Sequence, residues 1–122
     1  MPQVEQIDID NIKLYIYIVN MITYAFITFE WDDEKAASNL KKHGVSFDEA
    51  QTVFYDPYAL VVDDEAHSGE EQRFVIVGLS AVARALTVCH CYREPDERIR
   101  IISARKATKK EESEYWRRWH EG

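Results

Sequence analysis

Two helix starts and one helix stop are written into residues 32–57, and they constrain the fold more than any other part of the chain. Asp32 can accept a backbone N–H as an N-cap, Asp33 and Glu34 suit the positive end of a helix dipole, and Lys41, Lys42 and His43 suit the negative end. Gly44 supplies the left-handed residue that stops the helix. Ser46 opens a second helix with Glu49 three positions on, a capping box, and Phe47, Ala50, Val53 and Phe54 form an apolar stripe at helical spacing. Asp56-Pro57 closes it. Two capped helices joined by a turn of two or three residues make a helical hairpin.

The flanking sequence reads as strands. A first strand is expected over Ile22–Glu30, where alternate residues divide between two faces. Four more follow the hairpin: Ala59–Asp63, Arg73–Leu79, Ala85–Arg93 and Arg98–Ser103. Short turns at 78–83 and Glu94–Glu97 imply an antiparallel meander. Alternation in the last strand puts Ile99 and Ile101 on the core face and Arg98 and Arg100 opposite. Thr108, with Glu111 three residues on, starts a final helix reaching about His120, whose Tyr115, Trp116 and Trp119 need a surface to pack on, the sheet first of all. The expected fold is α+β in the order β-α-α-β-β-β-β-α, as one domain over 21–122.

Residues 1–20 read as an N-terminal extension, either an arm before a start at Met21 or an extra strand. The run from Ile12 to Ile27 is apolar but interrupted by Lys13, Asn20 and Thr23, which argues against a signal peptide or a membrane span and for soluble strands. Cys89 and Cys91 sit two apart in one strand, poorly spaced for a disulfide, and a cytoplasmic location follows as the default. The net charge of −7 disfavours non-specific coating of nucleic acid. It is uneven, however: residues 30–72 carry twelve acids against three lysines, and residues 93–118 carry nine bases against six acids. A local cationic face on an acidic body can position a phosphate.

Candidate site residues follow from that face. Lys42 and His43 either complement the helix dipole or contact an RNA phosphate, and composition does not choose between the two. Arg73, Arg93, Arg98, Arg100 and Arg105 stand at strand ends, where a meander can gather them; guanidinium groups bind phosphate bidentately and keep their proton. The alternative is solvated strand ends paired with Glu70, Glu71, Glu94 and Glu97. His90 points away from both cysteines, so the three cannot surround one metal. Asp63, Asp64 and Glu65 with His67 suggest at most a weak magnesium site, and a solvated loop explains them better. Phosphate-cradling glycine loops, nucleophilic triads and paired CxxC motifs are missing from the sequence.

Two ordered blocks carry a family likeness. The first is Phe29-Glu30-Trp31-Asp32, Lys35, Asn39, Lys42-His43-Gly44-Val45-Ser46-Phe47, Glu49-Ala50, Val53-Phe54 and Asp56-Pro57. The second is Gly69-Glu70, Arg73, Gly78, Arg84, Leu86, Val88, His90, Tyr92-Arg93 and the run from Arg98 to Thr108. Together they resemble the BrnT family of type II toxin-antitoxin ribonucleases. The resemblance implies a RelE-like fold, an antiparallel sheet of four to five strands with helices on one side. It also implies cleavage of RNA, growth arrest, neutralisation by a BrnA-like antitoxin, and contact with operator DNA only through that antitoxin.

For the site, the resemblance raises Lys42, His43, Arg73, Arg93 and Arg105 as catalytic candidates and Lys41, Arg98, Arg100 and His90 as RNA-binding ones, with no metal or cofactor. The chemistry expected is metal-independent attack of the ribose 2′-hydroxyl on the adjacent phosphorus. Glu49 is read as a capping residue. Ala83 departs from the family pattern where a glycine commonly precedes Arg84, and Cys91 where a threonine is common. Two other classes compete: a non-catalytic module binding a basic partner through its acidic hairpin and aromatic C-terminal helix, and a magnesium-dependent nuclease using Asp63 and Asp64.

Overall fold

A computed structural model describes residues 9–25, 27–93 and 98–121. The expected turn at Glu94–Glu97, Phe26 and residues 1–8 lie outside the described residues. The elements run α1 (Ile9–Ala25), β1 (Phe29–Glu30), α2 (Asp33–His43), α3 (Phe47–Thr52), a 3-10 turn (Val53–Tyr55), β2 (Leu60–Asp63), a second 3-10 turn (Glu65–His67), β3 (Phe74–Leu79), β4 (Ala85–Arg93), β5 (Arg98–Lys106) and α4 (Lys109–Glu121). The sheet order is β1-β5-β4-β3-β2. Strands β2 to β5 form the antiparallel meander, whereas β1 pairs parallel to β5 through Phe29 opposite Ile99 and Glu30 opposite Arg100.

The helical hairpin forms as its caps dictate. Asp32 accepts the Lys35 N–H at 3.0 Å, Gly44 takes φ 68°, and Ser46 Oγ accepts the Glu49 N–H at 3.0 Å. The α2–α3 pair covers one face of the sheet, burying Val45, Phe47, Ala50, Val53 and Phe54 against Ile76, Leu86, Val88, Ile99, Ile101 and Ala104. Asn39 pins α2 to β5. Its buried amide donates to Ala104 O at 2.8 Å and accepts from Ala104 N at 3.0 Å, so one side chain does the work of a neighbouring strand past the end of β1.

Two expectations are corrected here. The strand expected over Ile22–Glu30 shrinks to Phe29–Glu30, with α1 running through Ala25, so over residues 9–20 helix stands where an extra strand was considered. A run apolar on all sides alternates as well as any strand, but its half-buried Lys13 and Asn20 stand seven apart, a helical repeat. Glu49, read as a cap, instead sends its carboxylate to Arg84 and to Ser80 Oγ at 2.7 Å. The Arg84 hydrogen bond leads in holding that carboxyl below the usual range. Arg84 also donates to Gly44 O, which ties the hinge of the helical hairpin to the β3–β4 turn.

The turn between β3 and β4 keeps its shape without a glycine. Ala83 N donates to Ser80 O at 2.9 Å and Ala83 adopts φ 61°, the left-handed conformation that glycine takes at no steric cost. Gly78 is required for a different reason. A Cβ there would lie 3.0 Å from Ala59 Cβ and from Asp56 Oδ2. Asp56 needs that approach because it accepts the Leu79 N–H at 2.8 Å, the Tyr58 N–H at 2.9 Å and the Tyr115 hydroxyl. Trp119 Nε1 donates to the same hydroxyl at 2.6 Å and its ring stacks on Tyr58, so Tyr115 and Trp119 are spent on intramolecular packing while Trp116 stays exposed.

Two outcomes test these packing assignments. Ala83→Gly should stabilise the protein by about 1 kcal/mol, since it removes the left-handed penalty; an unchanged or lower urea midpoint contradicts the turn geometry. His90 is fully buried among Phe54, Phe74 and Tyr92, and burial pushes its imidazole down to about 4 from 6.5. The unfolded chain therefore binds a proton that the folded chain refuses. Stability is complete above pH 6.5 and falls as pH drops towards 4, by about 3 kcal/mol. Urea unfolding of wild type against His90→Leu should show a shallower loss in the variant.

Candidate active site on the open face of the sheet

The face of the sheet opposite the helical hairpin gathers the arginines, and it does so through one irregularity. Arg98 and Arg100 point away from the core because Ile99 and Ile101 point into it. Strict alternation would then send Arg105, five residues after Arg100, to the core side. A bulge intervenes: Cys89 pairs with Ser103 but His90 pairs with Ile101, which leaves Ile102 as the extra residue. Ala104 returns to the core opposite Val88, and Arg105 joins the open face opposite Thr87.

A cavity of about 200 Å³ sits over this point, lined by Asp64, His67, Arg73, Val75, Thr87, Cys89, Ile102, Ser103 and Arg105. It is smaller than a typical ligand pocket and suits a phosphodiester group better than a whole nucleotide. The loop that supplies its rim is locally tied. Ser68 Oγ donates to Asp64 O at 2.8 Å and accepts the Arg73 N–H at 2.9 Å, while Asp64 N donates to Arg73 O at 2.9 Å. Those bonds set Asp64 against His67, whose Nδ1 lies 2.9 and 3.0 Å from the two carboxylate oxygens. A proton on Nδ1, the tautomer this pairing favours, leaves Nε2 as the free acceptor. The imidazole is 71% exposed and its Asp64 partner 15% exposed, so the ring reaches out from a partly buried anchor.

The two cavity arginines differ in how they are held. Arg105 is clamped by Glu111, with Nη1 at 2.7 Å and Nη2 at 3.2 Å from its two oxygens. Glu111 also accepts the Thr87 hydroxyl at 3.0 Å and closes a reciprocal capping box with Thr108 at the start of α4. Burial works to raise the Glu111 carboxyl, but the hydrogen bonds from Arg105, the Thr108 amide and Thr87 outweigh it and hold it down at about 2. Arg73 is half-buried, and among the described residues no carboxylate lies within ion-pair distance of its guanidinium. An arginine without an acid beside it is the natural seat for an anion.

The remaining expected site residues divide. Arg93, Arg98 and Arg100 share the open face, with Arg93 beside Glu71 at 3.3 Å and Arg98 and Arg100 beside Glu30 at 3.8 and 3.5 Å. Lys41, Lys42 and His43 end α2, which packs on the other face through Asn39, and none of them lines the cavity. Lys42 and His43, expected as catalytic candidates alongside Arg73, do not meet it: the helix end and the cavity lie on opposite sides of the sheet. His90, expected to bind RNA, is corrected too, because its ring has no exposed surface. The carboxylates of the magnesium alternative diverge, Asp63 accepting from Gln72 at 2.8 Å and Asp64 engaging His67. His67 reads in the sequence as part of a solvated loop; the signal that marks it is the Asp64-x-x-His67 spacing, short enough for a one-turn contact.

Comparison with known proteins places the chain in a family and a fold. A family model described as the ribonuclease toxin BrnT of type II toxin-antitoxin systems matches residues 31–111. The crystal structure of the Brucella abortus ribonuclease toxin BrnT is similar in fold, with a TM-score of 0.53 at 22% identity, over 68% of this chain and 99% of that one. No match was found among curated proteins. Among the described residues no helix is long and apolar enough to cross a membrane. The mixed sheet, its helices and the extent of the sequence match agree: the chain belongs to the BrnT family, the ribonuclease toxins of type II toxin-antitoxin systems.

Proposed function

We propose that this toxin cleaves RNA without a metal, at the cavity bounded by Asp64, His67, Arg73 and Arg105. The observation that carries the reading is the pairing of an Asp64-oriented, exposed imidazole with a half-buried arginine that forms no ion pair among the described residues, in one cavity of phosphodiester size. His67 Nε2 takes the proton of the ribose 2′-hydroxyl, and the 2′-oxygen attacks phosphorus in line. Arg73 and Arg105 hold the non-bridging oxygens as charge grows on them; water on the far side of phosphorus protonates the departing 5′-oxygen, and the imidazolium then gives up its proton to solvent. The products are a 2′,3′-cyclic phosphate and a free 5′-hydroxyl. Arg93, Arg98 and Arg100 line the rest of the open face and carry the flanking backbone, each with its charge partly offset by Glu71 or Glu30.

A type II toxin has an antitoxin partner. In this reading it is BrnA-like, it silences the toxin in the cytoplasm, and it alone contacts operator DNA, which suits a toxin of net charge −7. An acidic chain gains little from long-range attraction to nucleic acid, so its cations act at short range.

Cleavage of a mixed-sequence RNA in EDTA tests the mechanism. Arg73→Ala should lower the rate about 10²–10³-fold and His67→Ala about 10²–10⁴-fold, while Lys42→Ala stays within a few-fold of wild type. Intact RNA with folded wild-type protein, or activity lost to EDTA and restored by magnesium, contradicts the proposal. Loss of activity in Lys42→Ala with Arg73→Ala unaffected would move the site to the helix side of the sheet.

A further inference from the structure

Beside the cavity, on the same face of the sheet, lies a smaller slot of about 150 Å³. Its floor is Leu60 and Val62 of β2 with Val75 and Val77 of β3, and its wall is the first two turns of α4, through Glu111, Glu114 and Tyr115. Cavity and slot adjoin. Val75 lines both, Val77 stands opposite Thr87 of the cavity, and Glu111 on the slot wall clamps Arg105 in the cavity. The cavity lies over β3, β4 and β5 and the slot over β2 and β3, so their centres are offset by one or two strand spacings, roughly 5–10 Å. That is the reach from a backbone phosphate to a neighbouring base.

Shape and chemistry together narrow the occupant. The slot is well below the size of an ordinary ligand pocket and admits one flat ring. Its aliphatic floor gives such a ring a surface to lie on, and the polar groups at its edge accept hydrogen bonds without donating any. Tyr115 contributes its ring alone, because its hydroxyl is engaged by Asp56 and Trp119. Glu111 is taken up by Arg105, Thr87 and the Thr108 amide. Glu114, three residues on along the same side of α4, is exposed, and among the described residues no cation lies within ion-pair distance of it. A carboxylate offers two acceptor oxygens and no donor. Of the RNA bases, guanine alone sets two N–H donors side by side, at N1 and the 2-amino group. Uracil flanks its N3–H with two carbonyls, and adenine and cytosine put an acceptor nitrogen next to their amino group. An aliphatic side chain from a protein partner would lie on the same floor but would leave the carboxylate without a donor.

We propose that this slot binds a guanine base adjoining the scissile phosphate, laid on Leu60, Val62, Val75 and Val77 and donating its N1–H and 2-amino hydrogens to Glu114. The proposal rests on the assignment of RNA cleavage to the cavity and adds a base preference to it. Arg73 and Arg105 hold a phosphate whatever the sequence around it, so reading a base falls to the slot. Unstacked bases of single-stranded RNA present this edge freely.

Chemical-shift titration of the full chain with guanosine, adenosine, cytidine and uridine monophosphates, each as the 3′- and the 5′-phosphate, measures the base preference without requiring cleavage. Guanosine monophosphate in one of its two forms should bind about 10–100-fold tighter than the other bases and should shift Val75, Val77 and Glu114 together with Arg73. Inosine monophosphate, which lacks the 2-amino group, should lose most of that preference, and wild-type selectivity should likewise be lost in Glu114→Gln. Val62→Trp, at an edge position already 47% exposed, fills the slot without entering the core and should abolish the preference as well. Equal binding of all bases, a guanine preference that survives Glu114→Gln, or shifts that avoid the slot overturns the proposal. A slot that no nucleotide perturbs and that co-expressed antitoxin perturbs instead belongs to a protein side chain, which also overturns it. Mapping the ends cut from a random-sequence RNA keeps the two readings apart. Cuts beside guanine support both, cuts without base preference overturn the slot alone, and selective guanine binding without any cutting supports the slot and overturns cleavage at the cavity.

Discussion

The bulge at Ile102 is the constraint on which the candidate site depends. Arg100 and Arg105 are an odd number of residues apart, and a regular strand would divide them between the sheet faces. The extra residue restores Ala104 to the core and turns Ser103 and Arg105 to the open face, where they meet Thr87, Cys89 and Arg73. It also fixes the end of β5 relative to α2, because Asn39 grips Ala104 through both backbone groups. Remove the bulge and two things fail together: Arg105 enters the apolar core, and the Asn39 clasp loses its partner.

Charge on the open face is arranged as pairs with one gap. Glu30, Glu71 and Glu111 each stand beside arginines of the face, which lets an acidic protein keep four guanidinium groups close together without strong mutual repulsion. Arg73 is the gap. The Glu111 clamp makes α4 part of this arrangement, since the same carboxylate caps the helix, accepts from Thr87 and orients Arg105. At the far end of α4, Tyr115 and Trp119 hand the helix on to Asp56, and Tyr58 and Lys13 bring in α1. A chain of contacts thus runs from the cavity through α4 to α1.

The helical hairpin and the meander were legible because their signals are local. Asp32, Gly44 and Ser46 act within a few residues of themselves, and β3 and β4 are apolar, β-branched-rich runs bounded by turn residues. What misled was everything set at a distance. The bulge arises from pairing between β4 and β5, Glu49 is drawn from its cap by an arginine thirty-five residues away, and α1 alternates like a strand because nearly all its residues are apolar. Among the site residues, Arg73 and Arg105 could be nominated as strand-end cations, yet which face each occupied could not be read. Lys42 and His43 drew attention as clustered cations, but the cap that makes the cluster points it away from the cavity. His67 reads in the sequence as one member of a weak acidic cluster on a solvated loop, and only the fold brings Arg73 beside it.

The central claim is that the substrate backbone sits on the open face at the cavity, and chemical-shift mapping tests it most directly. A short RNA with deoxyribose at the scissile position binds without being cut. Titrated into isotope-labelled toxin, it should shift the Arg73 and Arg105 side-chain resonances, the His67 imidazole and the Thr87 and Ser103 amides, and leave Lys41, Lys42 and His43 unmoved. Shifts confined to the end of α2, with the cavity silent, would contradict the account.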